Sequence, residues 1–396
     1  MDVSSAAEEI EEIKAEVGHR VDAQRQELIQ LSLKIHDNPE LGLQEKKATS
    51  WLISYLQRNG FQIKKHIAGL PTAFQARYGQ GSPRLALLAE YDALPQVGHA
   101  CGHNIIAASA VGAGVASKLA IDRFGGSIIV MGAPAEENFG AKIDMVKAGI
   151  FDEIDVAMMT HPDVLNLLTI AALACASVEV EFFGRPAHAA AQPYEGINAL
   201  EALILSFNSI NSLRQHIKEE ARIHGIITDG GDAPNIVPAH SAAEFLIRAM
   251  DNNYIDELKE KVLNCFKGAA LATGARLEYK WDDKTYAPMK NNMALAQLFK
   301  RNLESLGRHV ELSNPFGFGS TDMGNVSQVV PSIHPMVAIA SREVLIHSPE
   351  FASAAASEAG HKGLLDAATA MSMTVVDIMG QPGMLDKIRQ EFCNNG

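Results

Sequence analysis

The sequence predicts an α/β protein: a mostly parallel sheet flanked by helices and interrupted by a smaller ferredoxin-like α+β unit. Three observations carry this. Short apolar segments alternate with helical ones between residues 85 and 162, an order that right-handed crossovers convert into a parallel sheet. From 177 to 283 the order becomes β-α-β-β-α-β, the split arrangement of a ferredoxin-like unit. Mixed helix and strand return after 288, which assigns 1–175 and 288–396 to one domain and 176–287 to an insert.

The elements follow in order. Residues 5–35 read as one amphipathic helix on the spacing of Ile10, Ile13, Val17, Val21, Leu28 and Leu31. The turn "HDNPELG" (36–42) ends it. "ATSWLISYLQRNG" (48–60) is a second helix, closed by glycine. The rhythm then runs strand 85–92, small-residue helix 104–120, strand 126–134, short helix 141–149 and strand 155–162. In the insert, strands are expected at 177–184, 222–228, 241–250 and 275–283, with helices at 196–217 and 254–274.

Composition bounds the function. Of 396 residues, 47% are apolar and 20% charged, ordinary for a globular protein. No uninterrupted apolar run reaches the roughly 18 residues that a bilayer requires. The acidic start "MDVSSAAEEIEEIKAEV" lacks the layout of a signal peptide. A cytoplasmic protein with no membrane partner is therefore expected. The net charge of −13 argues against nucleic acid, because phosphate binding needs clustered cations. The one basic cluster, "KK" at 64–65, is too short to reverse that. Cys101, Cys175, Cys265 and Cys393 are scattered, so no disulfide framework is expected.

In parallel sheets, ligands bind beyond the carboxyl ends of the strands. The first predicted strand ends in Glu90 and Asp92, followed by "GHACGHN" with His99, Cys101 and His103 on alternate residues. The second ends in "APAEEN" with Glu136 and Glu137, and the third in "THPD" with His161. The topology brings these ends to one rim. Cys, His and Glu together form a mixed S/N/O donor set, suited to zinc or a similar borderline ion. Gly102 lets the loop turn so that Cys101 and His103 face one point. Neighbouring side chains in extended backbone point to opposite sides. One of Glu136 and Glu137 can thus bind metal while the other takes a proton from a water that the metal has acidified. That combination hydrolyses an amide.

The stretches "AEYDALPQVGHACGHN", "GAPAEEN", "MMTHP", "FFGRPAHAAAQPYEGINAL", "RIHGIITDGGDAPNIVP", "GSTDMGNVS" and "IHSPEFASAAAS" resemble successive signatures of one metallopeptidase family. It is family twenty, subfamily D, which contains aminoacylases, carboxypeptidases and p-aminobenzoyl-glutamate hydrolase. The likeness is greatest to its branch of Xaa-Arg and Xaa-Lys dipeptidases, and covers the chain from "HDNPELGLQE" at 36 to about 375. The resemblance implies a catalytic domain holding two divalent ions, zinc or manganese, and an inserted lid that forms a homodimer. Matched motif to motif, Cys101, His103, Glu137, His161 and His347 are ligands, Cys101 the bridge, and Glu136 the general base. His188 stabilises the oxyanion from a partner subunit, and Asn235 and Arg248 hold the substrate's carboxylate or carbonyl. The implied substrate is a small dipeptide or N-acyl amino acid. Departures are Glu90, where other branches carry His, and Asn104, where many members carry Asp. The second withdraws a carboxylate that would support His103.

The remaining polar residues have plainer readings. His99 supports its loop, and His334 divides between supporting the site and a purely structural role. His224 sits on a strand of the insert, where it can line a cleft. "GFGSTDMGN" (317–325) lacks the lysine of a phosphate loop; its expected role is cleft lining, with Asp322 hydrogen-bonding a ligand. Two competitors stand against a metallohydrolase. A catalytically silent binding protein should have lost at least one proposed ligand. A cysteine hydrolase using Cys101 leaves the Glu136–Glu137 pair unexplained.

Overall fold

The computed structural model describes residues 3–312 and 319–394. Its strands, in chain order, begin with β1 (Gln62–Lys65), β2 (Phe74–Gln80), β3 (Arg84–Ala89), β4 (Gly126–Gly132), β5 (Val156–Met158) and β6 (His161–Asp163). They continue with β7 (Ala174–Phe183), β8 (Arg222–Asp229), β9 (His240–Ala249), β10 (Arg276–Trp281), β11 (Ser332–Ile333) and β12 (Met336–Ala338). Among the described residues the chain forms two compact units. One takes the chain up to Ala171, residues 289–312 and everything from Asp322; the other takes Ala172–Pro288 and Gly319–Thr321.

The first unit is built on a six-stranded sheet in the order β1-β2-β4-β3-β5-β11. β3 runs parallel to both β4 and β5, and β5 parallel to β11. The carboxyl ends of β3, β4 and β5 therefore reach one rim. β1 and β2 pair antiparallel on the other side, two strands that the sequence reading does not contain. Their sequences, "QIKK" and "FQARYGQ", mix polar and apolar residues, as an edge with one wet face requires. β3 and β4 are buried almost end to end.

Three expected elements are broken in two. The helix at 5–35 divides at Gln24, whose N–H bonds Val21 O at 3.0 Å in a tighter turn, leaving Val3–Ala23 and Arg25–His36. The helix at 104–120 becomes His103–Ala116 and Lys118–Phe124. The strand at 155–162 divides into β5 and β6 because the chain leaves the main sheet and pairs with β12 instead, His161 opposite Met336. The stretches His103–Phe124 and Glu358–Gly380 are long and apolar enough to cross a bilayer, which corrects the expectation that no segment qualifies. They are 83% and 78% buried inside the protein, so packing accounts for their apolar character. The glycine-rich composition of His103–Ala116 serves that packing: a Cβ on Gly114 would lie 2.4 Å from Val130 Cγ2.

The second unit is a four-stranded antiparallel sheet, β10-β7-β9-β8. Helices Ala199–Leu213 and Asn252–Thr273 cover one face. Phe182, Phe245, Phe266, Ile247 and Leu258 form its core. Alternation along β7 and β9 sends every second residue inward, as the sequence pattern anticipates.

Candidate active site

The rim of the first unit assembles the metal-type residues. β3 delivers Glu90 and Asp92, β4 delivers the loop with Glu136 and Glu137, and β6 begins with His161. Gly102 caps the helix that starts at His103 and adopts φ +78°. A Cβ there would meet Pro162 Cγ at 2.4 Å, so the glycine lets the Cys101–His103 turn lie directly against the strand carrying His161.

Hydrogen bonds fix the tautomers. His103 Nδ1 donates to Asp92 Oδ1 at 2.9 Å, and His161 Nδ1 donates to the Pro162 carbonyl at 2.7 Å. Both imidazoles therefore present a bare Nε2. His161 Nε2 lies 3.4 Å from Cys101 Sγ, and His347 Nε2 lies 3.3 Å from it. Glu137 Oε1 is 3.7 Å from His103 Nε2 and 3.8 Å from His347 Nε2. His347 comes from a distant loop in a left-handed conformation, φ 67°. Its N–H bonds Ala100 O at 3.0 Å, which ties that loop to the Cys101 turn.

The donors fall into overlapping groups: Cys101–His103–His161, Cys101–Glu137–His347 and His103–Glu136–Glu137, each with its donor atoms within 4.8 Å of one another. His103 Nε2 and Glu137 Oε1 are buried with no hydrogen-bond partner among the described residues. Buried lone pairs need a partner, and a divalent cation held by these residues would supply one to both atoms. Two of the three groups share the Cys101 thiol.

Burial opposes a charge on His103, but Asp92 and Cys101 outweigh it and hold its pKa well above the ordinary value; the same field that favours a second proton at Nε2 would favour a metal cation there, which would displace that proton. Burial and the neighbouring His103 pull His161 down to about 4. Burial pushes the Cys101 thiol up; a cation beside it would favour the thiolate. Burial, with Glu90 and Asp322 adding to it, pushes Glu136 well above the carboxylate range.

Other expected residues lie elsewhere. Asp322 does not offer a free carboxylate to a ligand: it is fully buried and bonded to Lys142 Nζ at 2.5 Å and Lys142 N at 3.0 Å. Gly317 and Phe318, at the head of that glycine-rich stretch, fall outside the described residues. Asn104 supports no ligand; its Nδ2 donates to Ser32 Oγ and to Ala355 O. Buried His99 stacks on His36, and burial pulls it down to about 3. Buried His334 lies with its ring 5.6 Å from that of His161.

The second unit carries the rest. His188 is exposed, and its Nδ1 accepts the backbone N–H groups of Ala190 and Ala191 at 3.3 and 3.2 Å. Its proton therefore sits on Nε2. The N–H of Ala189 bonds Asn235 O at 3.0 Å and joins the two loops. Arg248 donates to His224 Nε2 at 3.4 Å and to Ser320 Oγ at 2.6 Å. Burial, then the charge of Arg248, lowers His224.

The role of Asp92, which the sequence places on the rim, and two further contributors escaped the sequence reading. Asp92 orients His103 and accepts the Glu137 N–H at 3.0 Å. Glu45, buried, accepts the Ala135 N–H at 2.9 Å and so anchors the Glu136 loop. Lys142 is fully buried among carboxylates. Asp92 and Glu45 lie inside signatures already quoted, but only their partners reveal what they hold.

Known proteins corroborate the architecture. The peptidase dimerisation domain of family M20 matches residues 174–273. The chain is 37% identical to mouse Xaa-Arg dipeptidase, over 98% of this chain and 94% of that protein. It is 29% identical to one of the subunits of Escherichia coli p-aminobenzoyl-glutamate hydrolase, over 96% and 95%. A dinuclear metal-binding peptidase of family M20 from Bacillus subtilis superposes with a TM-score of 0.72 at 19% identity, over 90% of this chain and 99% of that one. Identity to the mouse enzyme at this level over nearly the full length settles the lineage: the chain belongs to peptidase family M20 and is a metal-dependent hydrolase of amide bonds.

Proposed function

We propose that this protein is a dipeptidase for Xaa-Arg and Xaa-Lys peptides, working with two zinc or manganese ions as a homodimer. The observation that carries the metal centre is the pair of donor groups sharing Cys101, with bare His103 and Glu137 atoms aimed into the same space. Cys101, His103 and His161 would hold one ion, and Cys101, Glu137 and His347 the other. Bound divalent ions polarise a carbonyl and acidify water. Glu136 then takes the proton from water and returns it to the leaving amine. His188 presents Nε2–H, the donor that a developing oxyanion requires; such a donor contributes about 2.7–4 kcal/mol. Arg248, its guanidinium oriented by Ser320, suits a substrate carboxylate, and Asn235 and His224 are its neighbours in this role.

The Xaa-Arg specificity rests on the likeness to the mouse enzyme; the Escherichia coli relative supports p-aminobenzoyl-glutamate as the second reading. Dimerisation is supported by the matched domain at 174–273 and by β8. That strand is one of the two edges of its sheet, with Ile226 and Ile227 exposed by 63% and 46%. The test compares wild type with Glu136→Gln for metal content and for turnover of β-alanyl-lysine, Xaa-Arg dipeptides and p-aminobenzoyl-glutamate. Both proteins should carry about two metals, and only wild type should turn over. A preference for the glutamate conjugate sinks the dipeptidase reading, and a metal-free wild type sinks the site.

A further inference from the structure

The buried charges behind the rim have no part in the mechanism above. Lys142, on the short helix Ala141–Lys147, is fully buried. Its ammonium contacts Glu90 Oε1 and lies 2.5 Å from Asp322 Oδ1, and its backbone N–H bonds Asp322 Oδ2 at 3.0 Å. Glu90 is 1% exposed and Asp322 0%. Three separate segments thus meet in one buried ion triad. Such triads stabilise a fold poorly compared with apolar side chains of the same volume, so stability alone does not account for this one.

Its geometry points to another role. Lys142 holds one oxygen of Glu90. The other, Oε2, stands 3.5 Å from His103 Nε2, the nitrogen left bare because Nδ1 is committed to Asp92. Glu90 belongs to none of the compact donor groups. It is a fixed negative charge at the wall of the ligand pocket.

We propose that Lys142 is a positioning residue for the metal centre, clamping Glu90 so that one carboxylate oxygen stands beside the ligand nitrogen of His103 while Glu90 stays out of the ligand set. Asp322 fixes the ammonium from the opposite side. The clamp places a negative charge where it favours divalent cations at the pocket. This rests on the reading of His103 as a ligand.

The test uses the full chain and metal alone as probe. Glu90→Gln keeps an acceptor for Lys142 but removes the charge. The triple variant Glu90→Gln, Lys142→Met, Asp322→Asn removes the whole triad without leaving an unpaired ion. Zinc and manganese affinities are measured by chelator competition, kcat and KM at saturating metal, and melting temperature alongside. Both variants should fold, bind metal about 10–100-fold more weakly, and lose kcat with KM unchanged. A folded Glu90→Gln that keeps metal affinity and kcat within about threefold of wild type would overturn the proposal, as would melting changes with no change in metal affinity. Failure of the dipeptidase reading looks different: wild type then binds metal but cleaves no dipeptide, and the affinity measurement still decides the role of the triad.

Discussion

Asp92→Asn isolates the support behind the metal pocket. Asp92 is 1% exposed and uses both oxygens. Oδ1 accepts from His103 Nδ1 at 2.9 Å, and Oδ2 accepts the Glu137 N–H at 3.0 Å. An amide offers only one acceptor. In one orientation its NH2 faces the Glu137 N–H, donor against donor, and the loop carrying a ligand is pushed away. In the other the NH2 faces the His103 Nδ1–H, donor against donor; the Asp92 backbone carbonyl, 3.0 Å away, still accepts from Nδ1 and keeps the proton there, but the ring is pushed from its place. Either way one ligand is displaced while side-chain volume stays the same. Loss of an outer partner of this kind costs about 10–100-fold in metal affinity, or about 1.4–2.8 kcal/mol at 1.4 kcal/mol per decade. Chelator competition with zinc and with manganese measures it directly, and turnover at saturating metal shows what occupancy fails to restore. A folded variant within about threefold of wild-type affinity would refute the role of the Asp92 carboxylate in placing both ligands, since no orientation of the amide satisfies both donors.

Backbone strain and pH give two further tests. Gly102→Ala forces a side chain into φ +78° and against Pro162 Cγ at 2.4 Å. The left-handed conformation alone costs about 1–2 kcal/mol. The variant should melt lower and lose metal, and full metal content at an unchanged melting temperature would show that the pocket does not need this glycine. In the second unit His240 bonds Asp229 Oδ2 at 2.6 Å and Glu181 Oε2 at 2.9 Å. The Asp229 bond first, then that of Glu181, raises its pKa above the ordinary histidine value. A raised histidine stabilises fully below its unfolded pKa, and that contribution is lost as pH rises through the folded value. The melting temperature should therefore fall between neutral and alkaline pH, and fall less in His240→Gln. Equal slopes for the two proteins would show that the His240 pair contributes nothing.

The rim was legible because strand polarity is legible. Three apolar segments separated by helices must run parallel, and parallel strands put their carboxyl ends together. That is why Cys101, His103, Glu137 and His161 could be grouped from residues far apart in the sequence. His347 had no such warrant. It reaches the site on an irregular loop whose course depends on a left-handed backbone and a bond to Ala100 O, and only likeness to a family pointed to it. β1, at the edge, and β2 beside it were missed because their polar and apolar residues mix too evenly to stand out. Asp322 was misread because a glycine-rich stretch looks like a binding loop, whereas the ion pair that buries it depends on Lys142, 180 residues away.

Asn104 shows how a departure from a family pattern is resolved by geometry. Read along the chain, asparagine in place of aspartate next to His103 suggests a ligand short of support. In three dimensions the helix turns the Asn104 side chain away from its neighbour, and its amide joins Ser32 and the Ala355 carbonyl. A buried carboxylate could accept from the Ser32 hydroxyl but would face the Ala355 carbonyl with no proton to give, and Asn104 is 0% exposed. His103 takes its support from Asp92 instead, eleven residues back, at the end of the strand that begins the rim. The asparagine therefore belongs to the packing of the helix, and the carboxylate that the site requires is supplied by the strand. The two requirements are met by different residues, so the departure at 104 leaves the support of His103 in place.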